Sequence, residues 1–169
     1  MRLSAHTLPE KRRLELYAAI YFIAAYRRHT AEWMTLIDIA EPPEPDFVIR
    51  RRGTSLGLEI AHLFGSERDA RALLARPQEA ELDHEARIQH AMVPLSDRLP
   101  ADLGRILAQK ATKMYARPTL LMVRNAYPLW GRQGFLDVFD RIPIPKSHPF
   151  EEIWLLCDDT GRSGLLRLA

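Results

Sequence analysis

Residues 45–61 read PDFVIRRRGTSLGLEIA and contain two apolar runs on either side of a turn. The run that begins at Asp46 and the run that ends at Ala61 are typical of β-strands, and Gly53 between them provides the backbone freedom of a tight turn. We therefore predict a β-hairpin centred near Gly53. In that register Asp46 lies across from the end of the partner strand that contains Glu59, so two carboxylates meet at the open end of the hairpin.

Helical and strand patterns surround this hairpin in a regular order. Thr7 and Glu10 form a capping box that predicts the start of a helix, and three prolines between Glu41 and Pro45 exclude a helix or a paired strand there. Residues 35–39 fit a strand, or the end of a second helix that begins at Thr30. The predicted elements are a helix over 9–28, strands over 35–39, 46–50 and 56–61, helices over 101–115 and 134–142, and strands over 119–123, 153–157 and 165–168.

The first helix has apolar residues at the spacing of one helical face. We expect that face to pack in the core. Its members are Leu14, Tyr17, Ile20, Tyr21, Ala24 and Ala25.

The composition predicts one globular domain over residues 1–169. The hydrophobic fraction is 47% and the charged fraction 27%, both ordinary values for a folded protein. No apolar run approaches the roughly 18 residues that cross a bilayer, and the first residues lack the pattern of a signal peptide. The single cysteine, Cys157, excludes an intramolecular disulfide. We expect a cytoplasmic protein without membrane contact; the oligomeric state stays open, homo-oligomers included.

The net charge of +2 does not by itself indicate a nucleic-acid partner. Local clusters are more informative, and Arg50, Arg51 and Arg52 lie together at the predicted hairpin turn. Such clusters contact nucleic-acid phosphates in some proteins and are solvated loop residues in others. Both interpretations stay open for these three arginines.

The two carboxylates of the hairpin are the oxygen ligands that a hard divalent cation requires. Mg²⁺ binds one or two carboxylates together with waters and substrate phosphate. The backbone carbonyl of Ile60, beside Glu59, is a further candidate ligand. A cation held by Asp46, Glu59 and Ile60 would activate water and stabilise charge on a phosphate.

These residues resemble a known signature. Pro45-Asp46 and Glu59-Ile60-Ala61 are similar to the two halves of the motif of the PD-(D/E)XK nuclease superfamily, and the predicted order of helix, three strands, helix and strand is that of its core. The resemblance covers about two thirds of the chain, with a helical insertion over 64–99 and a C-terminal β extension over 131–169. It implies an α/β restriction-endonuclease-like fold, a central mixed sheet flanked by helices. It also implies hydrolysis of phosphodiester bonds in DNA, or in RNA, with Mg²⁺ or Mn²⁺ as cofactor.

The chain departs from the family pattern at Ala61, where the catalytic lysine is expected. Either the lysine has moved to the following helix or the site is inactive. Lys110 and Lys113 are the candidates, because a spacing of three residues puts both on one helical face, and Lys110 lies deeper in the helix. The resemblance also implies a further acid from the first helix, for which Glu15 and Glu10 are available; Glu15 lies within the helix body, and either residue could instead be a solvated surface residue.

Two other functions stay open on the sequence. The first is a catalytically inactive member of the same fold that binds nucleic acid or another protein, using the Arg50–Arg52 cluster and the insertion. The second is an unrelated small α/β protein without an active site. Metal-dependent activity would separate the nuclease from both.

Overall fold

The structure, a computed structural model, describes residues 8–41, 43–64 and 93–169, and at Leu95 the backbone alone. The capping box predicted at Thr7 and the part of the predicted insertion over 65–92 lie outside the described residues.

One mixed sheet organises the described part of the chain, with its six strands in sequence order. The first three strands pair antiparallel, the third to fifth pair parallel, and the last is antiparallel to the fifth. The prediction of an α/β domain with a mixed sheet flanked by helices is confirmed. The elements are α1 (Glu10–Thr30), β1 (Met34–Ile39), β2 (Phe47–Arg51), β3 (Thr54–Leu63), α2 (Leu95–Ala111), β4 (Thr119–Asn125), α3 (Arg132–Asp137), a 3₁₀ turn (Phe139–Arg141), β5 (Phe150–Leu156) and β6 (Leu165–Arg167).

The predicted hairpin is present as β2 and β3. Its register pairs Phe47 with Leu58 and Arg51 with Thr54. The two-residue turn consists of Arg52 and Gly53, both at positive φ (50° and 81°), which is the conformation that a tight hairpin turn with matching strand twist requires.

Helices cover the two faces of the sheet, and alternate residues of β3 point to opposite sides. Leu58 and Ile60 pack in the cluster on the α1 side with Phe22, whereas Ala61 packs with Leu103 of α2. Because Glu59 lies two residues before Ala61, its side chain is directed to the α2 side.

The prediction of which α1 face is buried was wrong in part. Tyr17 and Ile20 are 44% and 47% exposed, and Tyr21 is only half-buried. Since α1 is apolar around most of its circumference, apolar spacing could not select the face that meets the sheet. The buried residues of α1 are Glu15, Leu16, Ala18, Ala19, Phe22, Ala25 and Tyr26.

The second long helix begins and ends earlier than the prediction of 101–115. Pro100 was expected to precede the helix, but it lies inside α2, in its second turn, and the helix begins at Leu95 after Pro94. Proline fits the helical φ, but at this sixth position of the helix it lacks the N–H that would bond the carbonyl four residues earlier. Within the described ranges, no helix is long and apolar enough to cross a membrane.

Candidate functional site

The candidate site lies where β2 stops and β3 continues. Pairing between the two strands ends at Phe47 and Leu58, while β3 runs on to Leu63. The peptide groups of Ile60 are satisfied by side chains instead. Its N–H donates to Oδ2 of Asp46 at 2.8 Å, and its carbonyl accepts from Nζ of Lys110 at 3.1 Å. Asp46 and Lys110, two of the predicted site residues, therefore both contact the backbone of a third, Ile60.

Gly57 allows the chain before β2 to approach β3 closely. A Cβ at this position would lie 2.4 Å from Cγ of Pro45 and 2.5 Å from Oγ1 of Thr119, both far inside van der Waals contact. Because Pro45 immediately precedes Asp46, the absence of a side chain at Gly57 helps to set the position of that carboxylate.

Glu59 is bound by both candidate lysines. The carboxylate is buried, and its Oε1 accepts hydrogen bonds from Nζ of Lys110 at 2.6 Å and from Nζ of Lys113 at 2.8 Å. The Lys110 side chain is 17% exposed and that of Lys113 is 50% exposed, so Lys110 is the more enclosed partner. Burial opposes ionisation of Glu59, but the two ammonium groups outweigh it and hold the pKa of the carboxyl below its usual range.

Asp46 faces a second cation, Arg12 of α1. One guanidinium nitrogen of Arg12 lies 3.2 Å from Oδ1 of Asp46 and 3.2 Å from Oε2 of Glu15, and Lys11 lies 3.6 Å from Glu15. Burial and then the charge of Glu59 raise the pKa of Asp46, against the Ile60 N–H and the nearby cations. Burial and the charge of Asp46 likewise raise the pKa of Glu15. Glu15 therefore reaches the site through Arg12.

Tyr115, four residues beyond the end of α2, also faces Glu59. Burial first, and then the charges of Glu59 and Asp46, raise the pKa of its phenol, so it is a neutral hydroxyl at ordinary pH. The hydroxyl oxygen is buried and makes no hydrogen bond of standard geometry within the described residues. A buried donor beside a carboxylate is an available contact for a group that enters the site.

The donor set is compatible with a hard divalent cation. Glu59 Oε1 and the Ile60 carbonyl both bind the Lys110 ammonium, so these two oxygens already face a common positive charge, and all the candidate donors are oxygens. Within the described ranges, no group of three or more His, Cys, Asp and Glu side chains could hold a metal ion. A cation here would therefore need the carbonyl of Ile60 or ligands from outside the chain.

The three arginines of the hairpin have different surroundings. Arg50 is exposed, and Arg52 is paired with Glu32. Arg51 is half-buried, and its guanidinium donates to the Tyr26 hydroxyl at 3.0 Å and to Glu152 at 2.8 Å. Arg51 and Arg52 line a groove of about 750 Å³ on the α1 side of the sheet, but both are held by partners in the protein. Of the three, Arg50 is the one for which the described residues provide no ion-pair partner.

The structure thus brings together Asp46, Glu59, Ile60, Lys110 and Lys113, and it links Glu15 to them through one intermediate residue. Sequence reasoning missed Arg12 and Tyr115. Arg12 has a signal, since it stands three residues before Glu15 on one helix and can reach it. Tyr115 has no such signal, because it follows α2 in a loop whose path the sequence does not specify.

Comparisons of this chain with protein-family models, with curated protein sequences and with solved structures find no match.

Proposed function

We propose that this domain is a divergent member of the PD-(D/E)XK superfamily that hydrolyses phosphodiester bonds in DNA, or RNA, with Mg²⁺ or Mn²⁺. The observation that carries the proposal is the position of Lys110. Its ammonium contacts both Glu59 and the Ile60 carbonyl, although it comes from α2 and not from β3. That is the place where a lysine absent from position 61 would have to reappear. The order of α1, β1 to β3, α2 and β4 supports a restriction-endonuclease-like core.

Asp46, Glu59 and the carbonyl of Ile60 would hold the divalent cation. When bound, it would neutralise charge on the phosphate and make water at the site more acidic. Two of these three oxygen groups bind the Lys110 ammonium in the present arrangement. The long flexible stem of lysine lets the ammonium swing toward a phosphate while staying beside Glu59.

The remaining side chains have supporting roles. Lys110 would orient the attacking water or stabilise the developing negative charge on the phosphate oxygens. Lys113 keeps Glu59 ionised by donating to the same oxygen. Arg12, which Glu15 binds in turn, holds Asp46 from the α1 side and limits its rotation.

The same ion pairs favour a second function, an inactive binding module. Three buried or half-buried carboxylates are matched by four cationic side chains, so the site is electrostatically complete without a metal. In that case the lysines hold Glu59 permanently, and the domain would bind nucleic acid or protein through other surfaces. The members of this ion-pair network are Lys11, Arg12, Glu15, Asp46, Glu59, Lys110 and Lys113.

Cleavage assays with single- and double-stranded DNA and RNA separate the two functions. We expect cleavage in Mg²⁺ or Mn²⁺ and none in EDTA, and loss by orders of magnitude in Asp46→Asn and in Lys110→Met. Lys146→Met is the matched control, because Lys146 is exposed and distant in sequence from the site. Calorimetric titration of the protein with Mn²⁺ tests the metal site without relying on turnover.

A relocation of the lysine tests its role directly. If position 61 and position 110 can supply the same ammonium, Lys110→Ala abolishes cleavage and the double variant Ala61→Lys/Lys110→Ala regains part of it. A wild-type protein that neither cleaves any of the four substrates nor binds Mn²⁺ would refute the nuclease and leave the binding module.

A further inference from the structure

Helix α1 carries an apolar stripe on the side that faces away from the sheet. Tyr17 and Ile20 are each nearly half exposed and Ala24 is exposed, whereas Leu14 and Tyr21 are half-buried at the edge of the stripe, and Tyr21 also packs against the core of its own protomer. The opposite side of the same helix is buried in the core. A helix that is apolar on both sides is normally covered on both sides, so this stripe predicts a partner.

The spacing along the stripe identifies the partner. Six residues along it, from Glu10 to Arg28, follow each other at alternating intervals of four and three, which is the repeat of helices that pack side by side at a shallow angle. The sequence of the stripe is also symmetric in character about Ala19. We propose that α1 packs antiparallel against α1 of a second copy of this chain, forming a two-fold symmetric dimer. The seam of this dimer consists of Glu10, Leu14, Tyr17, Tyr21, Ala24 and Arg28, and Ile20 lies at its edge.

Two-fold symmetry pairs residues that are equally distant from Ala19. Tyr17 then packs against Tyr21 of the second copy, and Leu14 packs against its Ala24, a large residue against a small one. Each pair occurs twice, as an isologous interface requires. Ile20 lies beside the symmetry axis and meets its own counterpart.

Opposite charges meet at the two ends of the seam. Glu10 lies opposite Arg28 of the second copy, and in the described residues neither has a carboxylate or cationic partner of its own. Arg28 donates one N–H to the Gly161 carbonyl at 2.8 Å and has further N–H groups for a carboxylate. Arg27, which flanks the seam, stacks on the Trp33 ring of its own protomer at 3.3 Å. Antiparallel packing also sets the two helix dipoles in opposite directions.

The size of the seam predicts a weak dimer. Glu10 and Arg28 are eighteen residues apart, so the seam is about 27 Å long. One pair of helices of this length buries an area at the lower end of the range for specific protein interfaces. We expect association at micromolar concentrations, with salt weakening the terminal ion pairs.

Charge reversal tests the seam, because in a symmetric dimer a single reversal breaks two ion pairs and a double reversal restores both. By sedimentation equilibrium, Glu10→Arg and Arg28→Glu should each raise the dimer dissociation constant about tenfold, and the double variant should return it to near the wild-type value. Loss of the Gly161 contact or misfolding cannot produce this rescue. A double variant that dimerises no better than the singles would overturn the pairing.

Introducing a charge at an apolar position tests the centre of the seam. Tyr17→Glu should give a folded monomer, and Leu129→Glu, at another exposed apolar residue, should leave the dimer unchanged. Far-ultraviolet circular dichroism checks that both variants keep their helices. We expect association below roughly 100 μM. A wild-type protein that is still monomeric at that concentration would refute the proposal.

Discussion

Replacing Glu59 by glutamine isolates the electrostatic role of the most buried carboxylate in the candidate site. The substitution preserves the shape of the side chain and removes its charge. Repulsion among clustered carboxylates would by itself make this change neutral or stabilising. The structure predicts the opposite, because Lys110 and Lys113 both donate to the Oε1 atom of Glu59 and would lose their counter-charge.

The expected loss of stability follows from the two contacts. Removing one partner of a fully buried ion pair costs about 3–5 kcal/mol, and a hydrogen bond to a charged group contributes about 1.5–3 kcal/mol. Lys113 is half exposed, so solvent screens most of its share. Glutamine also keeps an oxygen that can accept one hydrogen bond. We therefore expect the free energy of unfolding to fall by about 2–3 kcal/mol, or the melting temperature by roughly 4–12 °C.

Asp46→Asn is the matched comparison, and its pH dependence has the opposite sign. The pKa of Asp46 is raised in the folded protein, so its ionisation opposes folding once the pH exceeds the unfolded value of about 3.9. At neutral pH, Asp46→Asn should be within about 1 kcal/mol of wild type or more stable. The pKa of Glu59 is lowered in the folded protein, so its ionised carboxylate stabilises the fold above a pH of about 4.3, the unfolded pKa. This stabilisation disappears as the pH falls through the pKa of the folded protein.

Urea unfolding followed by tryptophan fluorescence between pH 3 and 8 measures the free energy of unfolding of both variants. The deficit of Glu59→Gln should be largest at neutral pH and shrink on acidification. Equal stability of Glu59→Gln and wild type at pH 7 would show that the two lysines do not hold the buried carboxylate. The electrostatic account of the site would then be wrong, whatever the catalytic activity.

Two further substitutions test how the hairpin is held. Arg51→Ala should lower the free energy of unfolding by about 2–3 kcal/mol, because the Arg51 guanidinium binds a tyrosine and a glutamate in a half-buried position. The control Arg50→Ala, at an exposed residue, should change the free energy of unfolding by less than about 0.5 kcal/mol. Similar values for the two variants would contradict this account. Gly57→Ala should cost about 1–3 kcal/mol and weaken Mn²⁺ binding in calorimetry, because the new Cβ displaces Pro45 and the carboxylate that follows it. A stable Gly57→Ala variant with unchanged Mn²⁺ affinity would remove Pro45 from the description of the site.

The hairpin and the order of elements could be predicted from the sequence because local chemistry determines them. Gly53 in a two-residue turn and prolines before Asp46 leave few alternatives for the segment between them. The meeting of Asp46 with the Glu59 end of β3 followed from the turn position alone. The approach of Lys110 was expected from the family resemblance, which implies a lysine beside the second acid, and the spacing of Lys110 and Lys113 added only that both lie on one helical face.

Other features depend on packing that the sequence does not encode locally. The buried face of α1 was misassigned because nearly every side of that helix is apolar. The start of α2 was placed too late because proline usually marks a helix boundary, whereas Pro100 lies inside the helix, in its second turn. Tyr115 reaches the site through tertiary contacts and has no signal in the sequence, whereas Arg12 could have been found from its three-residue spacing to Glu15 on one helix.

Ile60 contributes to the site through its backbone and not through its side chain. Its two contacts use the backbone N–H and carbonyl, which are common to nearly all amino acids. Any residue that fills the same space on the α1 side would keep both contacts, and proline alone would lose the one made to Asp46. A saturation library at this position should therefore report how well each side chain fits the buried apolar space on the α1 side, and polar side chains should be tolerated poorly. Distant proteins with the same arrangement would share no residue type here, and the feature they would share is a strand that extends beyond its shorter neighbour.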